Sequence, residues 1–257
     1  MRMEEHAATW VNALVHLVPE GAQHYINVTV ISAWVVLVTL ALLAWRGTRR
    51  MELRPVTRTQ VAWEYIVESF CGFCEGVIGP GGARFAPFLG TLFLYIVGLN
   101  LLGIIPGFIS PTASLVMTFA LSIPTIIYVQ YVGFSSQGWR YLMHFVGEPW
   151  WLFPLNIPIH LIGEIARPLS LAVRLFGNIF GEDTVIAQLL VMSAAVFAKY
   201  YIPLPLHFPM VIFHIFVSFV QALVFMMLAA AYIGGALGHG HEEHKDEHHA
   251  AAGAEAA

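Results

Sequence analysis

FAPFLGTLFLYIVGLNLLGIIPGFISPTASLVMTFALSIPTIIYVQYVGFSSQGW, residues 85–139, runs from Phe85 to Trp139 without one Asp, Glu, Lys or Arg. A bilayer-spanning helix needs about 20 mostly apolar residues. This stretch therefore reads as two spans, Pro87 to Ile105 and Ala113 to Val132, turned by Pro106-Gly107 through Pro111. The rest of the composition agrees. Of 257 residues, 58% are hydrophobic and 11% charged, against about 25% charged in a soluble domain. Mean hydropathy is +0.72. Too little polar surface remains to meet water, so the chain is a polytopic membrane protein of all-α class.

The same numbers exclude other classes. A net charge of −4 offers no basic excess for nucleic acid. Two cysteines make neither a disulfide framework nor a zinc site, so no metal is expected. There is no G-x-x-x-x-G-K-[ST] loop and no Rossmann fingerprint, so neither a nucleotide site nor a cofactor is expected, and the chain does not read as an enzyme.

Working outward, Tyr25 to Trp45 gives the first span, and no charged residue falls between Glu20 and Arg46. Residues 1–24 are polar and begin with Glu4 and Glu5, the wrong order for a cleaved signal peptide, so they are expected to be retained. Arg46, Arg49, Arg50, Arg54 and Arg58 follow the span, and the positive-inside rule puts their loop in the cytoplasm and the N-terminus outside. Gln60 to Val77 mixes Glu64, Glu68 and Glu75 with Trp63, Tyr65, Ile66 and Phe70, the pattern of an amphipathic helix at the cytoplasmic surface. Arg140 and His144 return the chain to that side.

Two further apolar helices are predicted, Asn156 to Ala198 and Pro209 to Leu237. The first would reach roughly 60 Å against a hydrocarbon core of roughly 30 Å, so it must tilt strongly, break or lie along the membrane. The expected architecture is about five membrane-crossing helices plus a surface amphipathic helix, the last two crossings forming a long tilted hairpin. Three parts result: an outer segment 1–24, one transmembrane domain 25–237, and a cytoplasmic His/Glu-rich tail 238–257. No internal repeat of the secondary-transporter kind is found.

Ionisable residues within a span are expensive and functional by default. His160, Glu164, Arg167, Leu171, Arg174, Asn178 and Glu182 step by 4, 3, 4, 3, 4 and 4. At 100° per residue they keep one slowly drifting helix face, a polar track about 33 Å long. Lys199 closes the same helix. His207, His214 and Gln221 are spaced by 7 on the last span. If the two helices pack with these faces together, the result is a path for an ion or proton. Glu164 and Arg167, at i and i+3, can pair with each other. Arg174 has Leu171, Ser170, Gly177 and Asn178 around it and no local carboxylate, so its charge waits for one from elsewhere. A guanidinium suits that task because it cannot discharge by losing its proton.

Arg167-Pro-Leu-Ser-Leu-Ala-Val-Arg174-Leu-Phe-Gly-Asn178-Ile-Phe-Gly-Glu182 closely resembles the signature of subunit a of rotary F-type ATP synthases. The resemblance extends to Asn100-Leu-Leu-Gly-Ile-Ile-Pro-Gly, to Pro111-Thr-Ala-Ser and to the last span with Gln221, covering about residues 55–236. It implies an ion-conducting stator wall with two half-channels beside a ring of c subunits, coupling proton or sodium flow to ATP synthesis. By resemblance Arg174 separates the half-channels, and Asn178, Glu182, His214 and Gln221 lie on the outer side. The family's outer carboxylate maps to Glu182 or Asp183, and the helical stripe favours Glu182. Fourteen residues before the arginine, where an acid often occurs in the family, this chain has His160, with Glu164 nearby as the cytoplasmic-side carboxylate. The implied partners are the c-ring, the b subunits of the peripheral stalk, the rest of the synthase and the lipid bilayer. A bacterial inner membrane is the expected location.

The rival reading is a self-contained secondary transporter or ion channel using the same stripe, which would conduct by itself. Three further signals carry less. Cys71-Gly-Phe-Cys74 is a lone CxxC on the surface helix, read as small helix-face residues. The tail, His239-Gly-His-Glu-Glu-His-Lys-Asp-Glu-His-His, reads as a solvated end. Gly177 and Gly181 form a GxxxG beside Arg174 that permits close approach of a neighbouring helix.

Overall fold

The computed structural model describes residues 28–49, 58–105, 108, 110–138, 153–200 and 208–237. Segment 1–24, Arg50, Arg54, Arg140, His144, His207 and the 238–257 tail lie outside the described residues, as do the side chains of His160 and Lys199. Among the described residues the structure is all-α. Six helices are present among the described residues: α1 (Val28–Thr48), α2 (Arg58–Ile78), α3 (Ala86–Leu102), α4 (Leu115–Gln137), α5 (Phe153–Tyr200) and α6 (Phe208–Leu237). Short 3₁₀ turns, Gly82–Phe85 and Pro111–Ala113, precede α3 and α4. Five helical segments are long and apolar enough to cross a bilayer: 29–48, 82–102, 115–137, 162–197 and 208–237. In lipid no water satisfies an open backbone, and a continuous helix closes all its own hydrogen bonds.

Helix α6 is the hub, packing against α2, α3, α4 and α5. Its inward face carries His214, Ser218, Gln221, Ala222, Phe225, Met226, Ala229, Ala230, Ile233 and Gly234, about two residues per turn. Several are small. Between helices in lipid, where apolar transfer gives no drive, small residues let backbones approach and dispersion contacts form. The core continues through Cys74, Ile78, Leu89, Phe93 and Ile96 of α2 and α3, and through Leu171, Leu175 and Ile179 of α5. A second, smaller cluster joins Ala33 and Val36 of α1 to Leu99 and Leu102 of α3. There Gly98 makes room, since a Cβ on it would lie 2.7 Å from Val36 Cγ1. The α2-to-α3 turn uses left-handed Gly79 (φ 101°) and Gly81 (φ 82°), conformations that side chains disfavour.

Helix α5 is unbroken over its 48 residues, so breaking is ruled out as the answer to its length. Its 36-residue apolar part would extend about 54 Å, so it must tilt steeply or lie along the membrane to fit a roughly 30 Å core. Its outer surface is apolar and exposed, with Ile162, Ile165, Leu169, Val173, Leu190 and Val191 facing outward. Helix α4 carries Pro124 in its interior. Nearby, buried Thr118 and Thr125 bond back to the Leu115 and Leu121 carbonyls at 2.9 and 2.7 Å, satisfying their hydroxyls locally.

Candidate functional site

The stripe on α5 drifts as it runs, and its members therefore meet different surroundings. Glu164 and Arg167 are half-buried, Leu171 is buried, Arg174 and Asn178 stand at an exposed edge, and Glu182 turns inward. On α6, His214 and Gln221 face inward and are both buried. The two polar faces meet.

Asn178 Nδ2 donates to Gln221 Oε1 at 2.7 Å, linking α5 to α6 near the middle of both helices. Two turns of α6 earlier, His214 Nδ1 lies 3.0 Å from Glu182 Oε2 and 4.0 Å from Asp183 Oδ1. The closer contact is at ion-pairing distance, but neither of its two atoms receives a hydrogen bond of good angle. Glu182 is thus the nearer carboxylate, while Asp183 keeps 23% of its side chain exposed. A buried carboxylate beside an imidazole is a pair between which a proton can move, because an oxygen of the one and a ring nitrogen of the other can each hold it.

The other ring nitrogen fixes how His214 works. Nε2 lies 3.3 Å from the main-chain carbonyl of Asn100 on α3. A carbonyl only accepts, so Nε2 carries the hydrogen and a neutral ring presents its Nδ1 lone pair to Glu182. From Asn100 the polar chain continues. Thr112 Oγ1 donates to Asn100 Oδ1 at 2.7 Å, and Ser110 and Thr112 hydroxyls share a bond of 2.8 Å. Asn100, Ser110 and Thr112 are all buried, and so is Ser218, one turn from both His214 and Gln221. Asn100 Nδ2 and Ser218 Oγ have no protein partner, which leaves hydrogen-bonding capacity for water inside the cluster. Spacing on the last two helices did not reveal Asn100, Ser110 or Thr112, while Ser218 shares the face of His214 and Gln221. The motifs Asn100-Leu-Leu-Gly-Ile-Ile-Pro-Gly and Pro111-Thr-Ala-Ser contain Asn100 and Thr112 without giving either a role, and Asn100 is also a lone amide in a charge-free span.

At the opposite end of the stripe, Arg167 Nη1 pairs with Glu164 Oε2 at 2.8 Å, and its guanidinium carbon sits 5.1 Å from the centre of the Tyr232 ring on α6. Between the two ends is Arg174. Among the described residues it has no ion pair and no hydrogen bond. Beside it, a Cβ placed on Gly177 or Gly181 would meet nothing within 4 Å. Arg174 therefore stands on an open, low-relief edge of α5, with a polar cluster on each side of it along the helix.

The paired cysteines stand apart from all this. Cys74 is buried in the core, Cys71 is half-buried, and both are free thiols. Burial, with Cys71 adding to it, pushes the Cys74 thiol up to about 11.

Comparison with known proteins bears on what such a site does. A family model described as "ATP synthase A chain" matches residues 29–234. The chain is similar to ATP synthase subunit a of Desulfosudis oleivorans, 38% identical over 223 residues that cover 86% of this chain and 93% of the relative. It is 39% identical over 219 residues to ATP synthase subunit a 2 of Syntrophotalea carbinolica, covering 85% and 89% of the two chains. With ATP synthase subunit a of Syntrophobacter fumaroxidans it shares 34% identity over 247 residues, covering 92% of this chain and all (100%) of the relative.

Proposed function

The chain belongs to the ATP synthase A chain family, and from that premise we propose that it is the ion-translocating stator subunit of the membrane sector of an F-type ATP synthase. It is a multi-pass membrane protein, and in this reading it has no catalytic site of its own. It forms the wall against which a ring of c subunits turns, held by the b subunits of the peripheral stalk. The arginine-rich segment from Arg46 to Arg58 sets the orientation in a bacterial inner membrane. Residues 1–24 are then periplasmic, 25–237 form the single transmembrane domain, and the 238–257 tail is cytoplasmic.

One observation carries the mechanism: a guanidinium without a partner at an open helix edge, flanked along the helix by two separate polar clusters. The outer cluster, Glu182, Asp183, His214, Asn178 and Gln221, is one half-channel. A proton reaching Glu182 has the His214 Nδ1 lone pair 3.0 Å away, and the hydrogen bond to the Asn100 carbonyl keeps that lone pair aimed at it. Asn178 and Gln221 lead from there toward Arg174. Glu164, with His160 one turn before it, belongs to the second half-channel on the cytoplasmic side. When an ionised rotor carboxylate faces Arg174, opposite charge at close range favours the anion and so the release of its ion. The same fixed charge opposes a cation passing directly between the half-channels. Bare edges at Gly177 and Gly181 suit the approach of a moving helix.

The competing reading, a self-contained transporter or channel, differs in one measurable way. Proteoliposomes holding this chain alone should pass no protons under an imposed potential, whereas liposomes holding the whole membrane sector should. Conduction by the chain alone would overturn the stator reading.

A further inference from the structure

Three polar links join α5 to α6 in antiparallel order: Glu182 to His214, Asn178 to Gln221, and Arg167 to Tyr232. The first two belong to the outer half-channel. The third lies beyond Arg174, and nothing derived so far uses it. Its geometry is specific. Arg167 is bound twice, to Glu164 at 2.8 Å on its own helix and over the Tyr232 ring at 5.1 Å on the next. Glu164 is 19% exposed, and its second oxygen, Oε1, is buried without a partner. A carboxylate half withdrawn from water needs its one cation held still, and an arginine side chain has several rotatable bonds with which to leave. A ring from a neighbouring helix, attracting the guanidinium through its π-face, removes that freedom.

We propose that Arg167 and Tyr232 are positioning residues of the second half-channel: the Tyr232 ring clamps Arg167, and Arg167 holds the Glu164 carboxylate at its place on the path. The inference rests on the assignment of Glu164 to that path. It also explains how α5, despite its open outer surface, is registered against α6 on both sides of Arg174. The ring is the working part of Tyr232, since its contact with Arg167 is made by the π-face and not by the hydroxyl.

The test is a double-mutant cycle read as ATP-driven acidification of inverted vesicles, normalised to assembled complex. Tyr232→Phe keeps the ring and should retain most of the rate. Tyr232→Leu removes it and should lower the rate about fivefold, the scale of a cation–π contact of this kind. Arg167→Lys should rescue part of what Arg167→Gln loses. In the Arg167→Gln background, Tyr232→Leu should add nothing further. Equal rates for Tyr232→Phe and Tyr232→Leu would overturn the proposal, as would a full additive loss in the double variant. If Arg167→Gln fails to assemble, the Phe-against-Leu comparison decides alone. Arg174→Ala run in parallel keeps the two readings apart, because normal pumping there would remove the stator mechanism without altering the outcome of the cycle.

Discussion

Glu182 and His214 are each other's main polar contact in a buried setting, and the loss of either leaves the other exposed to its full desolvation penalty. That penalty is about 1–3 kcal/mol for an orphaned buried polar group. That penalty lowers stability; as a proton relay, His214 should matter for rate as well, and His214→Ala should lower ATP-driven pumping by roughly a hundredfold, the scale of losing a proton-transfer group, measured as acidification per assembled complex. Asp183→Asn, altering a group 4.0 Å from the ring and partly exposed, should cost much less. A loss in Asp183→Asn as large as that in Glu182→Gln would mean that the two carboxylates share the task. Which residues share a face of α5 or of α6 was legible from a spacing of 3, 4 and 7, because that spacing is a property of the helix itself. Ser218, one turn from both His214 and Gln221, shares that spacing, whereas Asn100, Ser110 and Thr112 were not legible in this way. Asn100 alone touches His214, from α3 and over a hundred positions away in sequence, with Thr112 and Ser110 bonded behind it, and periodicity within one helix says nothing about a neighbour's backbone carbonyl.

The helices themselves were readable because apolar length decides them, and their ends were less so because local bonds decide those. Falling hydropathy ends the third span near Val132, yet α4 continues to Gln137. Gln137 Nε2 donates to the Ala236 carbonyl at 2.8 Å, tying the end of α4 to the end of α6. The close approach of α1 and α3 at Gly98 is a second such feature. Gly98→Leu should separate the two helices, since even a Cβ there would lie 2.7 Å from Val36 Cγ1, and a β-branched side chain yields little. The expected result is a reduced level of the subunit in membranes; an unchanged level would contradict the packing. On α2, the two thiols should differ in reactivity. With its pKa raised to about 11, Cys74 stays protonated at pH 7.5 and has a thiolate fraction on the order of 10⁻³ or less. Maleimide at that pH should label Cys71 first. Rapid double labelling would contradict the burial of Cys74.

For the whole molecule, orientation is the claim that connects charge to mechanism. With Cys71 and Cys74 replaced by serine, Thr9→Cys should react with a membrane-impermeant maleimide in right-side-out vesicles and be protected in inverted ones. The opposite pattern would reverse the assignment of the two half-channels. The fold class and the crossing count were legible because a chain with 11% charged residues has few ways to satisfy its backbone in lipid. For α5 its length required only a tilt, a break or a course along the membrane, and the unbroken helix removes the break. The account stands or falls on Arg174, and one measurement reaches it directly: ATP-driven acidification of inverted vesicles carrying Arg174→Ala, with subunit content showing an intact complex. If Arg174 couples the rotor to ion flow, pumping is lost while the complex remains assembled. Pumping at the wild-type rate would contradict it and leave Arg174 as a structural charge at a helix edge.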